Sequence, residues 1–355
     1  MRSSGGERLA IRLGPLALPN PVICGSGEPV MTEAGIRAAL RAGAAGVIAK
    51  SVNEQKAAAW QLDRADYLRT DESGSPAAWQ ASGSGLFCRS GLSQREAGEW
   101  FAAVARLDRD AAAEGRFVGA SVVLGSPEGA EDLAREARRA GVRLLELNVG
   151  APHASEARPG AIALETDPER LRSLVKCIRA ALGDAVLWVK LTGLSPHLPA
   201  LASASREAGA DAAVMMGRFM AMVPDLEGLV PHLGSSGAYG GPWALPIVCR
   251  FLALSRGSAG SDFPLLGTNG VRNGIDVARM ALAGASAVEV LSAVMLDGFG
   301  ALTRVVTELD TFLEGRGLRF TDLVGRAADA LGGYADQPNR PGRWKDFVPP
   351  ETLES

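Results

Sequence analysis

The sequence predicts a (β/α)8 barrel, an α/β fold, and three observations carry that reading. Short apolar runs recur eight times, Ala-rich helical stretches lie between them, and no tight GxGxxG follows the first run. Alternating strands and helices build a parallel sheet. Eight such units close into a barrel, and the missing glycine fingerprint speaks against a doubly wound dinucleotide-binding sheet.

The first run is Pro21 to Ser26 (PVICGS), after which Thr32-Glu33-Ala34-Gly35-Ile36-Arg37 opens a helix that ends at Gly43. A hydroxyl before an acidic first turn is a helix start, and Gly is a helix stop. Gly46 to Ser51 (GVIAKS) repeats the strand pattern. Further strands are expected at Phe117 to Leu124, Arg143 to Val149, Ala185 to Leu191, Asp211 to Met216, Phe263 to Thr268 and Ala287 to Ser292. Helical runs fall at Ala130 to Ala140, Pro168 to Leu182 and Gly274 to Leu282. Two connections, 52–100 and 217–246, are too long for the pattern and leave the carboxyl ends of strands two and six. Barrel enzymes build sites and lids there, and Trp60, Trp79, Phe87 and Trp243 give these lids something to bury. Gly298 to Gly315 reads as a closing helix and the Pro-rich 332–355 as a surface tail, the whole 1–355 forming one domain.

With 355 residues, 47% of them hydrophobic and 22% charged, the chain can bury a large core. A net charge of -3 gives no electrostatic case for nucleic acid or an anionic membrane. The opening Met1-Arg2-Ser3-Ser4-Gly5-Gly6 reads as neither a secretory signal nor a membrane anchor, so a cytoplasmic protein is expected. Cys24, Cys88, Cys177 and Cys249 are far apart and form no CxxC, which argues for buried free thiols rather than a disulfide framework, zinc or an iron-sulfur cluster.

The chemistry is expected around Leu144 to His153 (LLELNVGAPH), an apolar run that carries a carboxylate and an amide into a loop. Lys50 and Lys190 each sit at a strand end. A buried ammonium is costly unless it meets an anion, so the pair points to a shared anionic ligand. Gly237 to Gly241 (GAYGG), Thr268-Asn269-Gly270 and Leu291-Ser292-Ala293 are candidate backbone donors. Donors after strands seven and eight form the usual barrel phosphate site.

These motifs resemble the FMN-binding barrel shared by dihydroorotate dehydrogenases and the pyrimidine-reducing domain of dihydropyrimidine dehydrogenases. The resemblance runs from Asn20 (NPVICGSGEP) through Ala49-Lys50-Ser51, Leu145 to Asn148, Val189 to Thr192, Ala208 to Asp211, Gly240-Gly241, Gly267 to Val271 and Ala283 to Ala287, ending at Ser292-Ala293. The pair Pro152-His153 is closer to the dihydropyrimidine type. The resemblance implies FMN at the barrel mouth, with Ser26 beside the ring system and Lys50, Ser51 and Lys190 at its polar edge and ribityl chain. It also implies Asn148 on flavin or substrate, and Gly240, Gly241, Asn269, Gly270, Ser292 and Ala293 on the phosphate. Asn269 stands where the family has glycine.

The departures bear on the substrate. The family's Cys or Ser after strand four, which exchanges a proton with substrate, aligns with Ala151, whose methyl group is neither acid nor base. Cys88, Gly217 and Arg218 replace residues that clamp pyrimidine amides. His153, as acid-base group or as a hydrogen-bonded loop residue, and Cys88, as thiolate or inert thiol, are candidates for the proton step. Arg218 is a candidate clamp for a carboxylate or phosphate, or a structural ion pair.

The expected function is therefore an FMN-dependent oxidoreductase acting on a small polar non-pyrimidine molecule. A carboxylated one is expected if Arg218 clamps it. Alternatives are a flavin-binding barrel without redox activity, acting as scaffold or partner subunit, and a flavin-free lyase or isomerase using Lys190 or Lys50 as a Schiff base. Without nicotinamide or iron-sulfur motifs, electrons are expected to leave through the substrate site, oxygen or an electron-acceptor protein. The resemblance implies a homodimer.

Overall fold

The eight apolar runs become the strands of a closed parallel barrel. A computed structural model describes residues 5–78, 85–151, 165–217 and 219–353. The strands are β1 (Val22–Cys24), β2 (Gly46–Ile48), β3 (Phe117–Val123), β4 (Leu144–Asn148), β5 (Val186–Lys190), β6 (Ala212–Met215), β7 (Leu265–Thr268) and β8 (Ala285–Val290). Each pairs with its neighbours in chain order, and β8 returns to β1 through Val288 opposite Val22. The strands are covered on both faces, so they read as continuous apolar runs without alternation. All seven residues of β3 are buried.

Packing inside the barrel fixes small residues against large ones. A side chain at Gly46 would place its first carbon 2.0 Å from the Phe117 ring, so that position excludes any other residue. The same Phe117 meets Trp188 edge to face at 5.5 Å, an orientation that aligns ring edge with ring face.

Four of the strands, β1, β3, β4 and β7, deliver the chain to a helix with a side-chain cap. Thr32 caps Glu33–Arg41, Ser126 caps Pro127–Arg139, Asp167 caps Pro168–Leu182 and Asn273 caps Gly274–Leu282, each side chain accepting from a backbone N–H of the first turn. Pro127 and Pro168 occupy the position where a missing N–H costs nothing. The closing helix spans Gly300–Glu314, and residues 332–353 beyond it are exposed apart from Val348.

The two long insertions make one sheet. Phe219–Ala221, Gly237–Gly240, Gly85–Arg89 and Asp66–Thr70 pair antiparallel in that order, two strands from each insertion. The segment expected to act as a backbone-donor loop, 237–241, is thus largely a strand whose Tyr239 pairs with Phe87. Phe87 is buried, but Trp60 is 66% exposed, so it does not help seal the lid. Trp243 is exposed but stacks on Tyr239 at 5.1 Å, and Trp79 lies outside the described residues. The cysteines also divide. Cys24 and Cys88 are buried, whereas Cys249 is half-buried and Cys177 exposed on the helix Pro168–Leu182, which corrects the expectation of uniformly buried thiols.

Candidate active site

A cleft of about 1040 Å³, mouth included, opens at the carboxyl ends of the barrel strands beneath the insertion sheet. Cofactor and ligand clefts of this size are typical at that face of a barrel. One wall comes from the loops after β1, β2 and β4 and holds Ser26, Lys50, Ser51 and Asn148. Opposite it, Gly240, Asn269, Gly270 and Ser292 form an edge after the insertion sheet, β7 and β8. Tyr67, Cys88 and Ser90 face the cleft from the insertion sheet and the loop after it. Ala151 completes the wall after β4 and packs with Ala58, Leu92 and Val123, and none of these four apolar side chains can exchange a proton.

The lysines find their anions inside the protein. Lys190 Nζ lies 3.1 Å from Glu146 and 2.5 Å from Glu289. Both carboxyls are fully buried and reach Lys190 across the barrel interior from opposite sides, one from β4 and one from β8. Burial pulls the Lys190 ammonium down, but the two carboxylates outweigh it and raise its pKa above the usual lysine value. Glu289 is held well above the usual carboxylate range, first by burial and then by Glu146, with Lys190 pulling the other way. Lys50 Nζ donates to Glu28 at 3.0 Å, while its backbone carbonyl accepts from Trp100 Nε1 at 2.9 Å. The two ammoniums, which by sequence point to a shared anionic ligand, thus already meet internal counter-charge from Glu28, Glu146 and Glu289. A protonated Lys190 tied to two carboxyls also makes a poor Schiff-base nucleophile, since that chemistry needs the neutral amine.

The sequence carried a signal for these partners. Glu146 and Glu289 each sit inside an apolar strand run, LLELN and AVEVLS, where an unpaired carboxylate is untenable. Lys190 closes the equally apolar VLWVK. Serines add to the network. Ser26 Oγ and Ser51 Oγ are 3.0 Å apart, Ser51 Oγ and Ser121 Oγ 2.9 Å, and Ser121 donates to Glu146 at 3.1 Å.

Other expected site residues divide. Asn148 accepts from Gly150 N at 3.0 Å through its side-chain oxygen and lines the cleft at the end of β4. Asn269 adopts φ +76°, a left-handed conformation that asparagine tolerates better than most residues. Its side chain lies against Gly240, where an added carbon would come within 2.8 Å of Asn269 Oδ1. Gly241 and Ala293 do not line the cleft: Gly241 backs onto Gly85, and Ala293 is buried in the core. His153 and Arg218 lie outside the described residues.

Among the described residues, no group of three or more His, Cys, Asp or Glu side chains could hold a metal. No described helix is long and apolar enough to cross a membrane. Residues 108–313, which include β3 through β8, match the dihydroorotate dehydrogenase family. The chain is 30% identical over 322 residues to the catalytic subunit of dihydroorotate dehydrogenase B (NAD(+)) of Methanocella arvoryzae, covering 90% of this chain and 98% of the relative. Against the same subunit of Pyrococcus furiosus it is 28% identical over 321 residues, with the same coverage of 90% and 98%. It is 33% identical over 190 residues to dihydroorotate dehydrogenase A (fumarate) of Limosilactobacillus reuteri, covering 53% of this chain and 59% of the relative. The chain belongs to the dihydroorotate dehydrogenase family and is an oxidoreductase of that dehydrogenase class.

Proposed function

We propose that the cleft binds FMN and that the protein is an FMN-dependent oxidoreductase for a small polar substrate other than a pyrimidine. The observation that carries the second part is Ala151 in the cleft wall, in the company of Ala58, Leu92 and Val123; by the resemblance in sequence, Ala151 aligns with the family's proton-exchanging residue. FMN supplies hydride exchange at its ring. The residues present suit it: Lys190 offers a fixed positive charge at the floor, Ser26 and Lys50 line one wall, and the Gly240, Gly270 and Ser292 edge lets backbone approach a phosphate closely.

The remaining groups select and orient the substrate. Cys88, Tyr67 and Ser90 face the cleft from the insertion side, so they meet whatever lies over the barrel floor. Asn148 lines the cleft at the end of β4, and His153 and Arg218 are the further candidates for proton exchange and for holding a carboxylate. A site without the family's acid-base group suits a substrate whose own lone pair assists the reaction, such as an amine or alcohol carbon. A cytoplasmic homodimer handing electrons to oxygen or to an acceptor protein completes the reading. The test is reconstitution: the purified protein should carry or take up one FMN per chain and show the two-banded visible spectrum of oxidised flavin. A colourless protein that takes up no FMN overturns the proposal.

A further inference from the structure

The hydrogen bonds around the barrel floor form one continuous chain from the cleft wall to its buried charges. Ser26 lines the cleft and is half-buried, and its Oγ accepts from Ser51 N at 3.1 Å. That leaves the Ser26 hydroxyl hydrogen for Ser51 Oγ at 3.0 Å, and Ser51 in turn for Ser121 Oγ at 2.9 Å. Ser121 is 1% exposed, lies off the cleft wall, and donates to Glu146 Oε1 at 3.1 Å. A carboxylate only accepts, so Glu146 orients the whole row: each hydroxyl donates one step inward.

At the inner end the carboxyls are not fully satisfied as two anions. Among the described residues, Glu146 Oε2 and Glu289 Oε1 are buried without a hydrogen-bond donor, although Glu146 Oε2 stays within 3.1 Å of Lys190 Nζ as an ion pair. A proton on Glu289 resolves this, since the two carboxyls contact one another and a protonated one donates to the other. The charged and titratable groups facing the cluster are then Lys190 as a cation, Glu146 as an anion, Glu289 as a neutral acid and the thiol of Cys24, which burial holds well above the usual cysteine value.

We propose that Ser26, Ser51 and Ser121 are a proton relay linking the cleft to Glu146, with Glu289 and Lys190 holding Glu146 ready to accept. A hydroxyl or ammonium group bound beside Ser26 loses its proton to Ser26 Oγ. The Ser26 proton moves to Ser51, that of Ser51 to Ser121, and that of Ser121 to Glu146 Oε1, so one bond to hydrogen breaks and one forms at each oxygen and no electrons are transferred. The return flow runs through the same atoms. The relay offers an acceptor, Glu146, for the proton that Ala151 cannot take, and it rests on the proposed function only for the identity of what binds.

The test needs no substrate. Infrared spectroscopy of the protein as purified should show the carbonyl band of a protonated carboxylic acid, shifted in D2O and absent in Glu289→Gln. On rapid dilution into D2O the wild-type band should shift within the mixing time. Ser121→Ala should keep the band and slow its exchange by about tenfold or more, because exchange then waits for local opening of the barrel, and Ser121→Thr should restore the fast rate. If Ser121→Ala does not fold, Ser51→Ala is read in the same way. A missing band in the wild type overturns the proposal, and so does unchanged exchange in the alanine variant, which would show the proton leaving directly past Lys190. A protein that binds no FMN but shows this exchange pattern refutes the flavin reading and leaves the relay standing.

Discussion

The floor of the cleft and the sheet above it are built on opposite principles. In the floor, Glu146, Lys190 and Glu289 are sealed among barrel strands, and every charge there is answered within 3.1 Å by another. In the sheet above, Phe219, Tyr239 and Trp243 make ring contacts at 5.0 and 5.1 Å while remaining partly open to solvent, and Met222 and Leu226 beside them are exposed. The floor lies within the residues that match the family, 108–313, whereas the sheet takes two of its strands, Asp66–Thr70 and Gly85–Arg89, from before that match begins. The contrast teaches where variation is tolerated. A closed set of buried charges changes only as a unit, while a half-exposed sheet can exchange side chains and with them its substrate.

The contrast breaks most visibly at Lys190. Lys190→Met leaves buried carboxyls without their cation and should cost about 3–5 kcal/mol of stability, read from the urea midpoint. Lys190→Met combined with Glu146→Gln, which removes the buried anion left bare, should recover part of that loss. A cost below about 1 kcal/mol would mean that the floor is not sealed.

Next comes pH. Glu289 holds its proton more tightly in the folded state than in the unfolded chain. Its contribution to stability is therefore complete below the unfolded carboxyl range, near about pH 4, and is lost as pH rises from there through the raised folded value. Wild type should accordingly lose stability relative to Glu289→Gln by about 1.4 kcal/mol per pH unit across that window. Parallel curves for the two proteins would show that Glu289 is ionised in the fold.

In the sheet, Trp243→Ala removes two ring contacts. It should cost about 1–3 kcal/mol, raise KM for the substrate, and leave FMN content unchanged. A loss of FMN comparable to that in a floor variant would erase the division between the two regions. The smallest effect belongs to Trp344→Ala in the C-terminal segment, where the ring is 57% exposed, with stability expected to stay within about 0.5 kcal/mol of wild type.

The barrel was legible because its strands are buried on both faces. Runs such as FVGASVV and VLWVK need no partner information to be recognised. The insertion sheet was not, since Asp66–Thr70 (DYLRT) and Gly237–Gly240 (GAYG) gain their strand character from pairing with Gly85–Arg89 rather than from their own patterns. In the site, the positions of Lys50, Asn148, Lys190 and Gly270 were readable from their places at strand ends. Their partners were not. That Lys190 meets Glu146 and Glu289 depends on β4, β5 and β8 sharing one interior, and the serine row depends on three successive strand ends lying at hydrogen-bonding distance. Cys177 was misjudged because the usual burial of cysteine yields to its place on the outer face of a helix.

The most direct measurement is anaerobic addition of dihydroorotate, and then of amine and alcohol donors, to the FMN-loaded protein while the flavin absorbance is followed. With an apolar patch at Ala151 in the cleft wall, the flavin should stay oxidised with dihydroorotate and bleach with a donor from the second group. Rapid bleaching by dihydroorotate would contradict the account, because the proposed substrate is not a pyrimidine.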